Sequence, residues 1–425
     1  MKKLLMLGTS LISKEMVEYA KSIGVYTIVT DYLEPEKSRA KLVADEYWMI
    51  NVAEVDLLER KCREEGITAV ICGISEFCLE VCMELCKRLG FPCYCTPEAW
   101  HFSRDKDDFK KLCKSIGAPV ATDFHLSDDL SEDELNSVKF PVVVKPVDMS
   151  GNRGISYCYN KEELVSAYKY ARSLSKSDKI IVEKMLKGKE WYSNYAIVDG
   201  EIRLLTLNGM YAEPGQLKNL YSLTTTVSDN VTRFYREINP KIVEVLKKVG
   251  CKQGLAWVQV MLDEDDHFYI IEMGYRLPGD MTFIPYIDMF NLDVTKWLVD
   301  YALGIKKPLA ELPQDQISEY TQCGCSYSLW TKKEGTIADI KGIDKLLEDP
   351  AIRYYSLNQV GSHMAEHRPV GVLTFSSSDV EGMLTKIEKI NNEISICDME
   401  GEDMIIRYTD FDYLRNIYQN GLNEK

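Results

Sequence analysis

The chain has 425 residues, and at ~100–200 residues per domain this length predicts two to four domains. Hydrophobic residues make up 45% of the chain and charged residues 28%, which is typical of a globular protein with a sizeable core. The 66 Asp and Glu outnumber the 51 Lys and Arg, and the net charge of −15 argues against nucleic acid as the main partner. No apolar run approaches the ~18 residues of a membrane span, so we expect a cytoplasmic protein without a membrane partner.

The 13 cysteines are an odd number in a long chain, which does not fit a disulfide framework. Cys78, Cys82 and Cys86 recur at every fourth residue, and this spacing predicts a stripe along one helix. A metal site is the alternative, but no C-x-x-C pair occurs in the sequence. The pattern therefore favours small buried thiols in a reducing compartment.

The first hundred residues alternate short apolar runs with amphipathic segments. We expect strands near residues 4–7, 25–30, 68–73 and 91–95, separated by helices near 13–23, 54–65 and 76–89. This alternation predicts parallel βαβ units. Gly8 after the first strand and Asp31 after the second allow a nicotinamide dinucleotide site, although the full G-x-G-x-x-G pattern is missing.

The pattern changes near residue 105, where a Lys-rich helix is expected over 106–116. Strands near 140–145 and 155–159 flank a polar loop, and another strand is expected over 180–183. The Asp199-Gly200 pair predicts a β-hairpin over 191–207. A helix over 239–250 precedes strands near 255–262 and 267–273, and a third region of mixed strands and helices begins near 306.

The middle of the chain carries charged residues at the exits of buried strands. Lys145 ends an apolar strand, where an ammonium group is costly unless it meets an anion. The small residues of 150–154 follow directly, and such a loop exposes backbone N–H groups that can cover phosphates. Taken alone, Lys145 fits a surface lysine equally well, and the loop fits a flexible hairpin equally well.

Two further segments carry carboxylates. The strand that ends at Glu183 runs into a linker able to offer backbone groups to an adenine edge, and Glu190 can accept ribose hydroxyls. Glu272 leaves a second apolar strand and suits Mg²⁺ at a triphosphate, while Arg276 suits the stabilisation of developing negative charge. Taken alone, the last two residues also fit a structural ion pair.

In this order the motifs resemble those of the ATP-grasp superfamily, in the branch of biotin carboxylase, carbamoyl-phosphate synthase and glycinamide ribonucleotide synthetase. The resemblance implies an α/β and α+β architecture. It comprises an ATP-grasp fold, an N-terminal parallel α/β pre-ATP-grasp domain that is Rossmann-like, and a C-terminal mixed α+β domain. The implied domains are residues 1–104, 105–305 and 306–425, with a lid subdomain at about 117–187.

The resemblance also implies roles for individual residues. Lys145 and Arg276 are the expected catalytic residues, and Arg276 corresponds to an arginine near an acyl-phosphate. The metal, Mg²⁺ or alternatively Mn²⁺, is expected at Glu272 and Gln259. The residues expected to bind ATP are Lys106, Lys145, Ser150, Gly151, Asn152, Gly154, Glu183, Lys184, Leu186 and Glu190.

Two positions depart from the family pattern. Gln259 stands where a second metal-binding acid is usual, and Gly274 stands where asparagine is usual. A substrate group or Asp280 completes the metal shell, or fewer metals bind, or catalysis is impaired; the residues leave these alternatives open.

The resemblance implies an ATP-dependent ligase that joins a carboxylate to an amine or other nucleophile through an acyl-phosphate. Its partners would be small-molecule carboxylate and amine substrates, and a homodimer is compatible with the family. Two alternatives stay open: an ATP-binding protein with weak or no turnover, and a nicotinamide-dependent oxidoreductase. Arg203, Tyr211, Lys218 and Tyr275 are candidate substrate contacts.

Overall fold

The N-terminal third is a parallel α/β unit. The structure is a computed structural model and describes residues 1–148, 154–177, 179–217, 220–313 and 322–423. The first four strands form a parallel sheet in the order β3-β2-β1-β4, as the alternating pattern predicts. The elements of this unit are β1 (Lys3–Leu7), α1 (Ser13–Ser22), β2 (Tyr26–Thr30), β3 (Glu46–Trp48), α2 (Val55–Glu65), β4 (Ala69–Cys72), α3 (Glu76–Leu89) and α4 (Pro97–Arg104).

The strand predicted near residues 91–95 is wrong, because this segment is a loop. Its apolar residues are buried by tertiary packing instead of by strand pairing. The Tyr94 ring meets the edge of Tyr275 at 5.9 Å between ring centroids, and Cys95 is buried.

A small antiparallel sheet follows in the order β6-β5-β7, with β5 in the middle. Val142 and Val144 of β5 pack against Leu164 and Tyr168, and this apolar contact forms the core of the unit. The elements are α5 (Lys106–Ser115), α6 (Glu132–Ser137), β5 (Val142–Pro146), β6 (Ser156–Cys158), α7 (Lys161–Leu174) and β7 (Ile180–Lys184).

The central part of the chain builds most of a large antiparallel sheet. The predicted hairpin turns at Asp199 and Gly200, whose φ angles of +49° and +84° both lie in the left-handed region that an Asp-Gly hairpin turn uses. The elements are β8 (Gly188–Val198), β9 (Glu201–Ala212), β10 (Tyr221–Thr225), α8 (Val231–Glu237), α9 (Asn239–Val249), β11 (Gln253–Asp263), β12 (Phe268–Gly274), α10 (Tyr286–Phe290) and α11 (Val294–Ala302).

The last third adds strands to the same large sheet, whose order is β12-β11-β8-β9-β10-β13-β17-β15. Residues on both sides of position 305 therefore share one sheet, joined where Thr224 of β10 pairs with Ser326 of β13. A separate small sheet has the order β16-β14-β18. The elements are β13 (Cys323–Trp330), β14 (Gly335–Lys341), α12 (Ile343–Leu346), β15 (Arg353–Ser356), β16 (His363–Met364), β17 (Pro369–Ser377), α13 (Val380–Glu393), β18 (Ser395–Asp398) and α14 (Phe411–Asn423).

The architecture agrees with the predicted fold class, since a parallel α/β unit precedes antiparallel sheets covered by helices. Among the helices of the described residues, none combines the length and the apolar character that crossing a bilayer requires.

Candidate active site

Four of the residues predicted from the sequence line one cavity of about 310 Å³: Lys106, Lys145, Glu272 and Arg276. They come from different elements, namely the start of α5, the middle strand of the small sheet, the end of β12 and the turn after it. Lys106 Nζ lies 3.6 Å from a carboxylate oxygen of Glu272. Cationic and anionic side chains thus meet where the small sheet faces the large one.

Lys145 is buried and is held by a shared carboxylate. Its Nζ lies 2.5 Å from Glu183 Oε1, and Lys110 donates to the other oxygen of the same carboxylate. Lys110 also donates to the Asp123 carboxylate. The backbone of Asp123 forms an isolated antiparallel β-bridge with that of Glu183. Two buried ammonium groups and two carboxylates therefore neutralise one another beside the cavity.

The pKa values in this cluster favour the charged forms. Burial acts to raise the pKa of Glu183, but Lys145 and Lys110 outweigh burial and lower it to about 2. Burial acts to lower the pKa of Lys145, whereas Glu183, Glu272 and Asp123 together raise it. Each partner therefore keeps the other ionised inside a poorly solvated site.

The two predicted metal-binding residues are direct neighbours across two strands. Gln259 of β11 pairs in register with Glu272 of β12, so both side chains lie on one face of the sheet. The Gln259 amide donates to Glu190 at 2.8 Å, and Tyr221 donates to the same carboxylate at 2.7 Å. Burial raises the pKa of Glu190, and Glu272 raises it further, against the effect of these two hydrogen bonds. A carboxylate and an amide carbonyl are hard oxygen donors, which fits Mg²⁺.

Leu186 and Glu190 line a second cavity, of about 660 Å³, together with Met261 and Tyr157. Tyr221 and Met210 line both cavities, so the two spaces adjoin. Leu186 and Glu190, predicted to contact adenine and ribose, therefore line a cavity that adjoins the one lined by Lys145 and Glu272.

Arg276 is held by a residue that sequence reasoning missed. Its guanidinium donates to Glu76 at 2.8 Å, and Arg104 pairs with the other oxygen of that carboxylate at 2.5 Å. Glu76 starts α3 in the N-terminal unit, 200 positions before Arg276. An acidic residue in the first turn of a helix is too common a signal to have identified this contact.

Trp257 explains the departure at Gly274. A Cβ atom at position 274 would lie 2.2–2.5 Å from three atoms of the Trp257 indole, so any side chain there would exclude this ring position. The indole also stacks near Arg276, whose guanidinium carbon lies 5.6 Å from the ring centroid. The indole Nε1 is buried without a hydrogen-bond partner within the described residues. The absence of a side chain at Gly274 therefore leaves the space in which the Trp257 ring lines the cavity.

Asp280 also lines the first cavity and is half-buried; its Oδ1 accepts from the backbone N–H and the hydroxyl of Thr282. Burial raises the pKa of this carboxyl, and the hydrogen bonds from Thr282 oppose the rise. Lys184 pairs with Asp263 and Asp265 at 3.7 Å, which directs its side chain away from both cavities.

Several other predicted residues stand elsewhere. Ser150, Gly151, Asn152 and Lys218 lie outside the described residues. Gly154 has a φ of +79° and packs against Pro146.

Three of the substrate candidates have hydrogen-bond partners within the fold, and one of them, Tyr211, also lines the second cavity. Arg203 donates to the Leu312 carbonyl, and the Tyr211 hydroxyl donates to the Val227 carbonyl. Tyr275 is fully buried, with its hydroxyl bound to backbone carbonyls.

The acid proposed for a nicotinamide site is engaged in the fold. Asp31 is buried and pairs with Lys41 at 2.8 Å, and it also accepts from Ser38. A carboxylate held by a buried lysine is poorly placed to accept ribose hydroxyls, which weakens the oxidoreductase alternative.

Comparison with known proteins places these features in a family context. Residues 105–288 match the family described as carbamoyl-phosphate synthase L chain, ATP binding domain. The formate-dependent phosphoribosylglycinamide formyltransferase of Bacteroides thetaiotaomicron is 28% identical over 337 residues, which cover 75% of this chain and 80% of that one.

Two solved structures share the fold over nearly the whole chain. L-amino acid ligase from Bacillus licheniformis superposes with a TM-score of 0.76 at 18% identity, covering 94% of this chain and 99% of that one. The biotin carboxylase domain of Hydrogenobacter thermophilus 2-oxoglutarate carboxylase, solved with MgADP and bicarbonate, has a TM-score of 0.73 at 19% identity, covering 98% and 94%.

The ion cluster makes stability depend on pH. Because Glu183 has a folded pKa of about 2 against an ordinary value of 4.5, its stabilisation is complete above about pH 4.5 and is lost as the pH falls toward 2. We expect Glu183→Gln to lower the free energy of unfolding by on the order of 3 kcal/mol at neutral pH, with the difference shrinking in acid. Urea unfolding at several pH values measures this, and a constant difference, or one no larger than that of the exposed Glu132→Gln, would contradict it.

The steric relation between positions 257 and 274 can be tested with matched glycines. We expect Gly274→Ala to destabilise the fold by about 1–3 kcal/mol, because the new methyl group displaces the indole. Gly279→Ala is the control, since Gly279 lines the same cavity but has no atom within 4 Å of an added Cβ. Urea unfolding of both variants, repeated in a Trp257→Ala background, should show the cost of Gly274→Ala disappear there. An equal loss of stability from Gly274→Ala in both backgrounds would contradict this explanation.

Proposed function

We propose that this chain is an ATP-grasp enzyme, an ATP-dependent ligase that joins a small carboxylate to an amine through an acyl-phosphate. The match of residues 105–288 to an ATP-binding domain family and the fold shared with an L-amino acid ligase support the proposal. The observation that carries the proposal is the convergence of Lys106, Lys145, Glu272 and Arg276 on one cavity. That set combines two ammonium groups for a polyphosphate, a carboxylate for a metal and a guanidinium for developing charge. The fold of the Bacillus licheniformis L-amino acid ligase supports the choice of an amine as the nucleophile.

ATP would span the two adjoining cavities. Lys145 and Lys106 would bind its phosphates, and Glu190 would accept the ribose hydroxyls. The adenine would contact backbone groups of residues 183–186 and the Leu186 side chain. Glu183 has a different task for its side chain: it holds the Lys145 ammonium in place, so its contribution to adenine binding is through the backbone.

Glu272 and Gln259 would hold Mg²⁺, which when bound neutralises phosphate charge and orients the transferred phosphoryl group. The neutral Gln259 contributes a carbonyl oxygen while its amide nitrogen stays bound to Glu190. The half-buried Asp280 is another carboxylate of the cavity and would receive either the metal or a cationic substrate group. The Hydrogenobacter thermophilus biotin carboxylase domain was solved in complex with MgADP, which supports this cofactor.

The chemistry needs no nucleophile from the protein. A carboxylate oxygen of the substrate attacks the γ-phosphorus, the bond to the β-phosphate oxygen breaks, and ADP leaves. The amine then attacks the acyl carbon, loses a proton, and expels inorganic phosphate. Arg276 stands beside the cavity with its guanidinium fixed by Glu76, so it can stabilise charge on the acyl-phosphate without reorganising.

A second candidate is an ATP-binding protein with little turnover. The observation that favours it is the pair of departures at the metal site, where Gly274 removes an amide ligand and Gln259 removes a charge. The Trp257 contact argues for adaptation instead, because it fills the vacated space with a well-packed ring that also contacts Arg276 and Tyr192.

The test is ADP release from Mg·ATP in the presence of pooled carboxylates and amines. We expect turnover only when both substrates are present, and Lys145→Ala to abolish it together with nucleotide binding. Arg276→Gln should keep nucleotide binding and lose roughly 10²–10³ in turnover. Lys169→Ala, an exposed lysine on α7, is the control and should behave as the wild type. ATP binding without ADP release from any substrate pair would favour the second candidate, and binding unaffected by Lys145→Ala would contradict the site.

A further inference from the structure

Three cysteine thiols converge in the N-terminal unit, away from the proposed ATP site. Cys82 and Cys86 lie on α3, Cys93 lies in the loop that follows, and their three sulfur atoms are within 4.8 Å of one another. The Cys82 and Cys86 sulfurs are 4.0 Å apart. The Cys72 thiol, at the end of β4, lies beside that of Cys82. Three thiols from two chain segments therefore share one location, and Cys72 lies beside one of them.

The local fold explains this convergence. Residues four apart on a helix face the same side, which aligns Cys82 with Cys86. Gly90 ends the helix with a φ of +74°, and this left-handed turn sends the chain back along α3 so that Cys93 meets the pair. Cys78, the third member of the helical stripe seen in the sequence, does not belong to this cluster; its sulfur faces Gly8.

Two thiols of the cluster are buried and one is partly exposed. The sulfur atoms of Cys82 and Cys86 lie 3.7 and 3.8 Å from the same Val70 carbonyl oxygen. Cys93 is half-buried, so the cluster is reached from solvent at its thiol.

We propose that Cys82, Cys86 and Cys93 bind a thiophilic d¹⁰ cation of the Zn²⁺ class as its three protein ligands, with solvent at the fourth position. Thiolates are soft ligands that such an ion prefers, whereas Mg²⁺ prefers oxygen and stays at the other site. Metal–sulfur bonds replace the S–H bonds, and the protons pass to solvent. A tetrahedral site with bonds of about 2.3 Å needs sulfurs about 3.8 Å apart, close to the separation of Cys82 and Cys86.

The ion would fix the loop that supports the ATP-site arginine. Cys93 is followed directly by Tyr94, whose carbonyl accepts the Tyr275 hydroxyl at 2.9 Å. Tyr275 in turn precedes Arg276 in the turn after β12. A bound ion would therefore hold residues 91–95 in place. This segment is the one that was predicted as a strand and is a loop in the structure.

The test is a Cd²⁺ titration of the full chain, purified under reducing conditions and stripped with a chelator. We expect one equivalent of Cd²⁺ to produce the ultraviolet thiolate-to-cadmium charge-transfer band, release protons, and be displaced by Zn²⁺. In the Cys86→Ser/Cys93→Ser double variant the affinity should fall at least ~10-fold. Cys325→Ser, which removes a buried thiol elsewhere, should leave the titration unchanged.

Circular dichroism and thermal unfolding show whether each variant folds, and the single variant Cys93→Ser replaces the double variant if that one does not. Absence of the band in the reduced wild-type chain overturns the proposal regardless of any variant. An equal band in Cys93→Ser also overturns it.

Discussion

The ion cluster of Lys145, Glu183 and Lys110 is the constraint on which the proposed ATP site depends. Lys145 sits at the end of a buried strand, where its ammonium group would be unstable without the Glu183 carboxylate. Because Lys110 comes from α5, the same carboxylate ties that helix to the small sheet. This geometry leaves a buried ammonium group at the wall of the cavity, where a phosphate group could bind it.

The net charge of −15 is a property of the whole chain and does not describe the charge at the candidate active site. Lys106, Lys145, Arg104 and Arg276 line a single cavity, and each has an acidic partner there or beside it. An anionic substrate would exchange for these partners without moving the cations far. The acidic surface and the polyanion site are therefore compatible, because charge acts mostly over short distances in salt solution.

The elements that are determined by residues close together in the sequence could be predicted from it. The βαβ units follow from alternating apolar runs, and the Asp199-Gly200 turn follows from its left-handed backbone. The contact of Glu76 with Arg276 spans 200 positions and leaves no periodic mark in the sequence. The packing of Trp257 on Gly274 likewise leaves no mark in the sequence, in which the glycine indicated only a missing ligand. The strands of the third region extend the large sheet, and this pairing was not predicted because strand pairing between distant segments has no local signature.

The most direct test of the central claim follows oxygen atoms from the carboxylate substrate. A pool of carboxylates labelled with heavy oxygen is incubated with amines, Mg·ATP and the enzyme, and the released phosphate is analysed by mass spectrometry. Activation through an acyl-phosphate transfers one labelled oxygen from the carboxylate to the phosphate, and that is the result we expect. Phosphate without the label would show that its fourth oxygen comes from water by direct attack on ATP, and would contradict the account.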